Sequence, residues 1–60
     1  MYILLLNDTN IRQCDDLLTI IEYARSRFPS FDSNARNCIG CVLRSWCNDG
    51  SLIEVVHNLG

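Results

Sequence analysis

The chain has no lysine and only one histidine, and its apolar runs are short. Its 60 residues include five basic residues, all arginine, and seven acidic residues, so the formal net charge is −2. An acidic balance creates no basic field that would attract nucleic acid or anionic lipid. A membrane-spanning helix needs about 18 or more apolar residues in succession, so we predict no membrane partner.

The first residues also lack the pattern of a secretory signal. Only five apolar residues follow Met1, no basic residue precedes them, and the polar segment 7–10 comes directly afterwards. A signal peptide has a basic start and an apolar stretch of 7–15 residues. We therefore expect a cytoplasmic protein, in which cysteines are reduced by default.

Repeats, low-complexity tracts and linkers are missing, which indicates a single domain spanning residues 1–60. The composition is 48% hydrophobic and 20% charged, as in globular proteins. A chain of this length lies near the lower limit for a self-sufficient core. Such chains often rely on disulfides, a metal or a partner subunit.

The first half of the chain is predicted to be a strand followed by a helix. Segment 2–6 is a short apolar run that favours a buried strand. The residues from Ile11 to Phe28 show helical spacing, Asn10 and Gln13 resemble a capping box, and Pro29 would stop the helix. The predicted apolar stripe of this helix consists of Cys14, Leu17, Leu18, Ile21, Ala24 and Phe28.

The second half is predicted to be a helix followed by a strand. The helix runs from Asn34 to Asn48, with Gly50 as its left-handed stop, and segment 51–57 is rich in β-branched residues. Its predicted stripe consists of Ala35, Ile39, Val42, Leu43 and Trp46, with Trp46 anchoring the core. The expected fold is thus α+β, strand-helix-helix-strand, with a two-stranded sheet packed on a helical hairpin.

Both predicted strands carry apolar residues on both faces, whereas two helices can cover only one face. The second face should then be covered by another protein, either a second copy or a target. Two residues of the first helix, off its main stripe, extend this apolar surface. The predicted interface consists of Tyr2, Leu4, Leu6, Ile20, Tyr23, Leu52, Ile53 and Val55.

Four cysteines permit three interpretations: small buried hydrophobes, a structural zinc site, or disulfides. A zinc site would use Cys14, Cys38, Cys41 and Cys47, or His57 as one of the ligands. On the predicted helix, however, Cys47 lies opposite Cys38, so the thiolates could not meet on one ion. We therefore predict reduced thiols and no cofactor.

The sequence lacks an arrangement typical of catalysis. His57 is the only histidine, and no motif orients it toward a cysteine nucleophile. We predict that the protein is not an enzyme.

The predicted second helix has a polar face made of the side chains that read base edges in DNA. Its members are Asn34, Arg36, Asn37, Arg44 and Asn48. A helix of this kind followed by strand 51–56 resembles the recognition helix and wing of winged-helix proteins. That resemblance implies a DNA-binding regulator. The connector 29–33, however, leaves no room for the family's short second helix, and the chain has few phosphate-binding basic residues.

These features together predict a small non-enzymatic regulator or inhibitor that docks on another protein. Short chains without enzymatic motifs are frequent among accessory proteins of phages and mobile elements. A winged-helix-like DNA-binding regulator is the alternative prediction, and a zinc-stabilised structural module is the third.

Overall fold

The computed structural model describes residues 1–38 and 41–58, with Asn37, Cys38 and Cys41 at the level of the backbone. Its strands form one antiparallel sheet in the order β2-β1-β5-β4-β3, with four strands of five or six residues and a short β3 at one edge. The elements are β1 (Tyr2–Leu6), β2 (Thr9–Cys14), α1 (Leu17–Arg27), α2 (Phe31–Asn34), β3 (Arg36–Cys38), β4 (Cys41–Trp46) and β5 (Leu52–His57).

The predicted fold is therefore wrong in architecture. The two outer segments do form strands, and β1 and β5 pair directly, with Leu4 opposite Val55. However, the sheet contains three further strands, and the helices are one of eleven residues and one of four. A two-stranded sheet on a helical hairpin does not exist in the described part of the chain.

The turn between β1 and β2 explains why the chain reverses at Asn7. Asn7 and Asp8 have positive φ values of 49° and 68°, as the two central residues of a type I′ hairpin require. Asn7 also ties this turn to β5: its Oδ1 accepts from the Leu52 N–H at 2.8 Å, and its own N–H donates to the Leu52 carbonyl at 2.8 Å.

An irregularity in the register made β2 resemble the start of a helix. The pairing of β1 with β2 shifts between Leu4 and Leu5, and such a bulge breaks the two-residue alternation of a strand. Ile11 and Cys14, three residues apart, consequently both pack against the core. This spacing mimics one face of a helix, so the predicted helix start at Ile11 was wrong.

Helix α1 instead begins after Asp16, whose carboxylate accepts from the Thr19 N–H at 3.0 Å and from the Thr19 hydroxyl at 3.1 Å. The helix ends at Arg27, one residue before the predicted end at Phe28 and two before Pro29. Because the helix starts later, its buried residues are Ile20 and Ala24, and Leu18 is 59% exposed. The predicted stripe was therefore partly wrong.

The predicted second helix, Asn34–Asn48, is also wrong. Its first residue ends α2, Ala35 connects α2 to β3, and the remaining described residues form β3, β4 and the turn that follows. The apolar pattern of β4 was interpreted as one face of a helix with Trp46 in the core. In the strand, Ser45 is buried instead and Trp46 is 57% exposed. Trp46 is therefore not the core anchor. Ile39, another member of the predicted stripe, lies outside the described residues.

Gly50 has the left-handed conformation that was predicted, but in a hairpin. Its φ is 88°, and its N–H donates to the Cys47 carbonyl at 3.0 Å. The Cys47 N–H in turn donates to the Ser51 carbonyl at 2.9 Å. This arrangement is a three-residue hairpin loop with a left-handed glycine at its last position.

The core lies between one face of the sheet and the two helices. The sheet contributes Leu4, Ile53 and Val55, and α1 and α2 contribute the remaining members; the complete set is Leu4, Ile20, Ala24, Phe31, Ile53 and Val55. Neither described helix has the length and apolar character needed to cross a bilayer.

Candidate functional site

The two faces of the sheet differ in what covers them. Leu4, Ile53 and Val55 face α1 and α2 and have no exposed area. Since neighbouring residues of a strand point to opposite faces, the residues between them lie on the other side, which we call the open face. Within the described residues, no helix packs on it. Its central members are Ile3, Leu5, Arg44, Trp46, Leu52, Glu54 and Val56.

A single row of paired residues crosses the open face from one edge of the sheet to the other. Arg36 lies opposite Arg44, Arg44 opposite Glu54, Glu54 opposite Leu5, and Leu5 opposite Asn10. Directly opposite residues share a face and their side chains interact. This central row therefore places the Arg44 guanidinium and the Glu54 carboxylate next to apolar and amide side chains. At the β3 edge, the Arg36 guanidinium donates to the Ser33 and Ala35 carbonyls at 3.3 and 2.8 Å.

The charged centre of the row is an ion pair. The Arg44 Nε and Nη2 both donate to Oε2 of Glu54, at 3.3 and 3.1 Å. The Glu54 side chain is 11% exposed and the Arg44 side chain 43% exposed. Arg44 therefore satisfies a carboxylate that the neighbouring side chains largely remove from water, and its guanidinium has five N–H donors, of which these bonds use two.

Apolar side chains surround this ion pair. Leu5 lies opposite Glu54, Leu52 and Val56 flank it along β5, and all three are half-buried. Trp46 lies opposite Leu52 on β4 and is more than half exposed. The open face thus combines an apolar centre with an exposed aromatic ring and a neutralised carboxylate.

The structure divides the predicted interface residues among three environments. Leu52 is half-buried on the open face. Tyr2, Leu6 and Tyr23 are half-buried and pack against the core, and the guanidinium of Arg12 lies 5.0 Å from the Tyr23 ring centroid. The other four are core residues without exposed area, so they cannot contact a partner; they are Leu4, Ile20, Ile53 and Val55.

The predicted DNA-reading residues are not gathered on one helix. Asn34 ends α2, and its Nδ2 donates to the Trp46 carbonyl at 3.4 Å. Arg36 and Asn37 belong to β3, Arg44 to β4, and Asn48 to the β4–β5 turn. The recognition helix that the winged-helix resemblance implied is replaced by these strands.

Strand order also separates the cysteines. Cys14 lies on edge strand β2, whereas Cys38 and Cys41 lie on β3 and β4 at the other side of the sheet. With strands about 4.8 Å apart, three spacings put Cys14 about 14 Å from β4. Among the residues whose side chains are described, no cluster of three metal-binding groups occurs.

The sheet places Cys14 and His57 on opposite sides of Tyr2, so the two residues are not neighbours. Tyr2 lies opposite both Cys14 and His57 on its two sides, and the rings of Tyr2 and His57 are 4.7 Å apart. Two strand spacings, about 10 Å, separate the cysteine from the histidine. This distance does not allow the hydrogen bond that a nucleophile and its base require.

Two features of the open face were missed in the predicted interface. Ile3 and Leu5 alternate with the buried residues of β1, and Glu54 is the only acidic residue in an apolar strand. That isolated charge was the available signal, because a carboxylate in a central strand needs a partner across the sheet.

Comparisons with protein-family models, with curated proteins and with solved structures gave no match to this chain.

Proposed function

We propose that this protein is a small, non-enzymatic regulator or inhibitor that acts by docking on another protein through its open face. The observation that supports this proposal is the exposed Trp46 beside half-buried Leu5, Leu52 and Val56, on a face without a described covering element. Exposed tryptophan and arginine are enriched among residues that dominate binding energy. The cytoplasmic location expected from the sequence remains part of this proposal.

The charges of the face favour a particular partner chemistry. Arg36, Arg44 and Glu54 give the central row a formal charge of +1, although the whole chain carries −2. The Arg36 guanidinium donates to the Ser33 and Ala35 carbonyls at the edge of the sheet, so Arg44 is the cation on the face itself. The only carboxylate of the row already binds Arg44. A suitable partner therefore offers an apolar surface bordered by carboxylate or carbonyl oxygens, which would accept from the remaining N–H groups of Arg44.

A second copy of the chain fits this face less well. Two stacked copies would bring two Arg44 guanidinium groups together, and the Glu54 carboxylate of each copy is already bound within its own chain. Like charges placed opposite each other in an interface disfavour association. We therefore assign the face to a different protein with an acidic, apolar surface.

A peptide-display selection against the immobilised full chain would test this assignment. We expect enrichment of peptides that combine apolar residues with Asp or Glu. A synthetic peptide with the enriched sequence should then bind the wild-type chain in calorimetry and lose at least about tenfold in affinity to a Trp46→Glu chain, since interface hot spots are worth about 2 kcal/mol or more.

Leu18→Glu is the matched control. Leu18 is 59% exposed and Trp46 57% exposed, but Leu18 lies on α1, on the other side of the sheet. It should leave the peptide affinity unchanged. Equal binding to the Trp46→Glu chain, or enrichment of basic peptides, would overturn the proposal. Sedimentation showing a wild-type dimer that Trp46→Glu alone disrupts would assign the open face to a second copy instead.

A further inference from the structure

Two of the four cysteines occupy directly opposite positions in the sheet. Cys38 is the last residue of β3 and Cys41 the first residue of β4, and their Cα atoms are partners in the antiparallel register. Only Ile39 and Gly40 separate them in the sequence. The fold therefore brings these two thiol-bearing residues together at one edge of the sheet, on neighbouring strands.

The register meets the distance requirement of a disulfide. Opposite residues of an antiparallel pair have Cα atoms about 4.5–5.5 Å apart, and disulfides join Cα atoms about 4.4–6.8 Å apart. We propose that Cys38 and Cys41 form a redox-active dithiol that a small-molecule disulfide, such as oxidised glutathione, converts to an intrachain disulfide. This proposal does not rest on the docking function.

The reaction consists of two thiol–disulfide exchanges. One cysteine thiolate attacks a sulfur of the small disulfide, which forms a mixed disulfide and expels one small thiolate. The second cysteine thiolate then attacks the cysteine sulfur of that mixed disulfide and expels the other small thiolate. The protein loses two electrons and two protons, and the small disulfide takes them up as two thiols.

The other cysteines are too distant to compete. Cys47 follows β4, six residues beyond Cys41, which corresponds to about 20 Å along a strand. Cys14 lies about 14 Å away across three strand spacings. Both separations exceed the approximately 7 Å beyond which a disulfide requires backbone movement. Oxidation should therefore join Cys38 to Cys41 selectively.

Incubation of the reduced full chain in glutathione buffers of increasing oxidised fraction would test this proposal. After the remaining thiols are alkylated, the intact mass should show the loss of two hydrogen atoms and two alkylated cysteines. Peptide mapping should place the disulfide between Cys38 and Cys41. A Cys14→Ser/Cys47→Ser chain should oxidise over the same buffer range, whereas Cys38→Ser should stop at a glutathione adduct on Cys41.

Three results would overturn the proposal. One is separate glutathione adducts on Cys38 and Cys41 without a bond between them. Another is pairing of either residue with Cys14 or Cys47. The third is stoichiometric zinc that protects both thiols from oxidation in the chain loaded with zinc alone, which would make the pair half of a metal site.

Discussion

Arg44 and Glu54 lie directly opposite each other on β4 and β5, and the guanidinium makes two hydrogen bonds to the same carboxylate oxygen. The two partners differ in exposure, since Glu54 is nearly enclosed and Arg44 reaches solvent. Because of this asymmetry, removing the two partners should have different effects on stability. A carboxylate that is shielded from water and has no partner is costly.

Loss of Arg44 should therefore destabilise the fold more than loss of Glu54 charge. Arg44→Met keeps the apolar stem but leaves the carboxylate unpaired, at a cost of about 1–3 kcal/mol. Glu54→Gln leaves an arginine that water can solvate, at a cost of about 0–1 kcal/mol. Urea unfolding of both variants and of the double variant would measure this, and equal losses for the two single variants would contradict it.

Phe31, and not the predicted anchor Trp46, should be the aromatic residue on which the stability of the core depends. Phe31 is 1% exposed in the core, so Phe31→Ala should cost about 3–5 kcal/mol. Trp46 is mainly exposed, so Trp46→Ala should cost only about 1 kcal/mol while the circular dichroism stays native. A Trp46→Ala chain that unfolds would show that the ring anchors the core after all.

Removing a glycine from one hairpin turn should lower the stability of the fold, whereas introducing a glycine into the other should raise it. Gly50→Ala places a side chain at φ 88°, where nothing lies within 4 Å, so the cost of about 1–2 kcal/mol is conformational. Asp8→Gly relieves a positive φ of 68° and creates the preferred Asn-Gly turn, so the melting temperature should rise. Thermal melts of both variants would measure this; a lower midpoint for Asp8→Gly would contradict it.

Asp49 should contribute stability that depends on pH. The Ser51 backbone N–H donates to the Asp49 Oδ1 at 3.0 Å, and this bond together with the Ser51 hydroxyl lowers the pKa of Asp49 below its usual 3.8. Because the folded pKa is depressed, this contribution is complete above the unfolded pKa and disappears as pH falls through the folded pKa.

Urea unfolding between about pH 2 and pH 5, around the unperturbed carboxyl range, would measure this effect. Asp49→Asn keeps an oxygen acceptor for the Ser51 N–H but does not titrate, so its stability should fall less steeply with acid than that of the wild type. Identical slopes for the two chains would show that Asp49 contributes nothing to the pH dependence.

The strands β1 and β5, the approximate end of α1 and the left-handed glycine could be predicted from local sequence. Apolar runs mark β1 and β5, the latter interrupted by Glu54, because both strands lie inside the sheet, and Pro29 and Gly50 restrict the backbone locally. The alternation along these strands also separates Leu4 from Leu5 and Ile53 from Leu52, whichever neighbours the strands have.

The identity of β2, β3 and β4 and the choice of the covered face depend on contacts between segments that are distant in the sequence. The register shift puts Ile11 and Cys14 on one side despite their helix-like spacing, and β4 buries Ser45 while it exposes Trp46. Cross-strand pairs such as Arg44–Glu54 and Cys38–Cys41 depend on register. Register is set by contacts between segments, so local apolar patterns carry too little information to specify it.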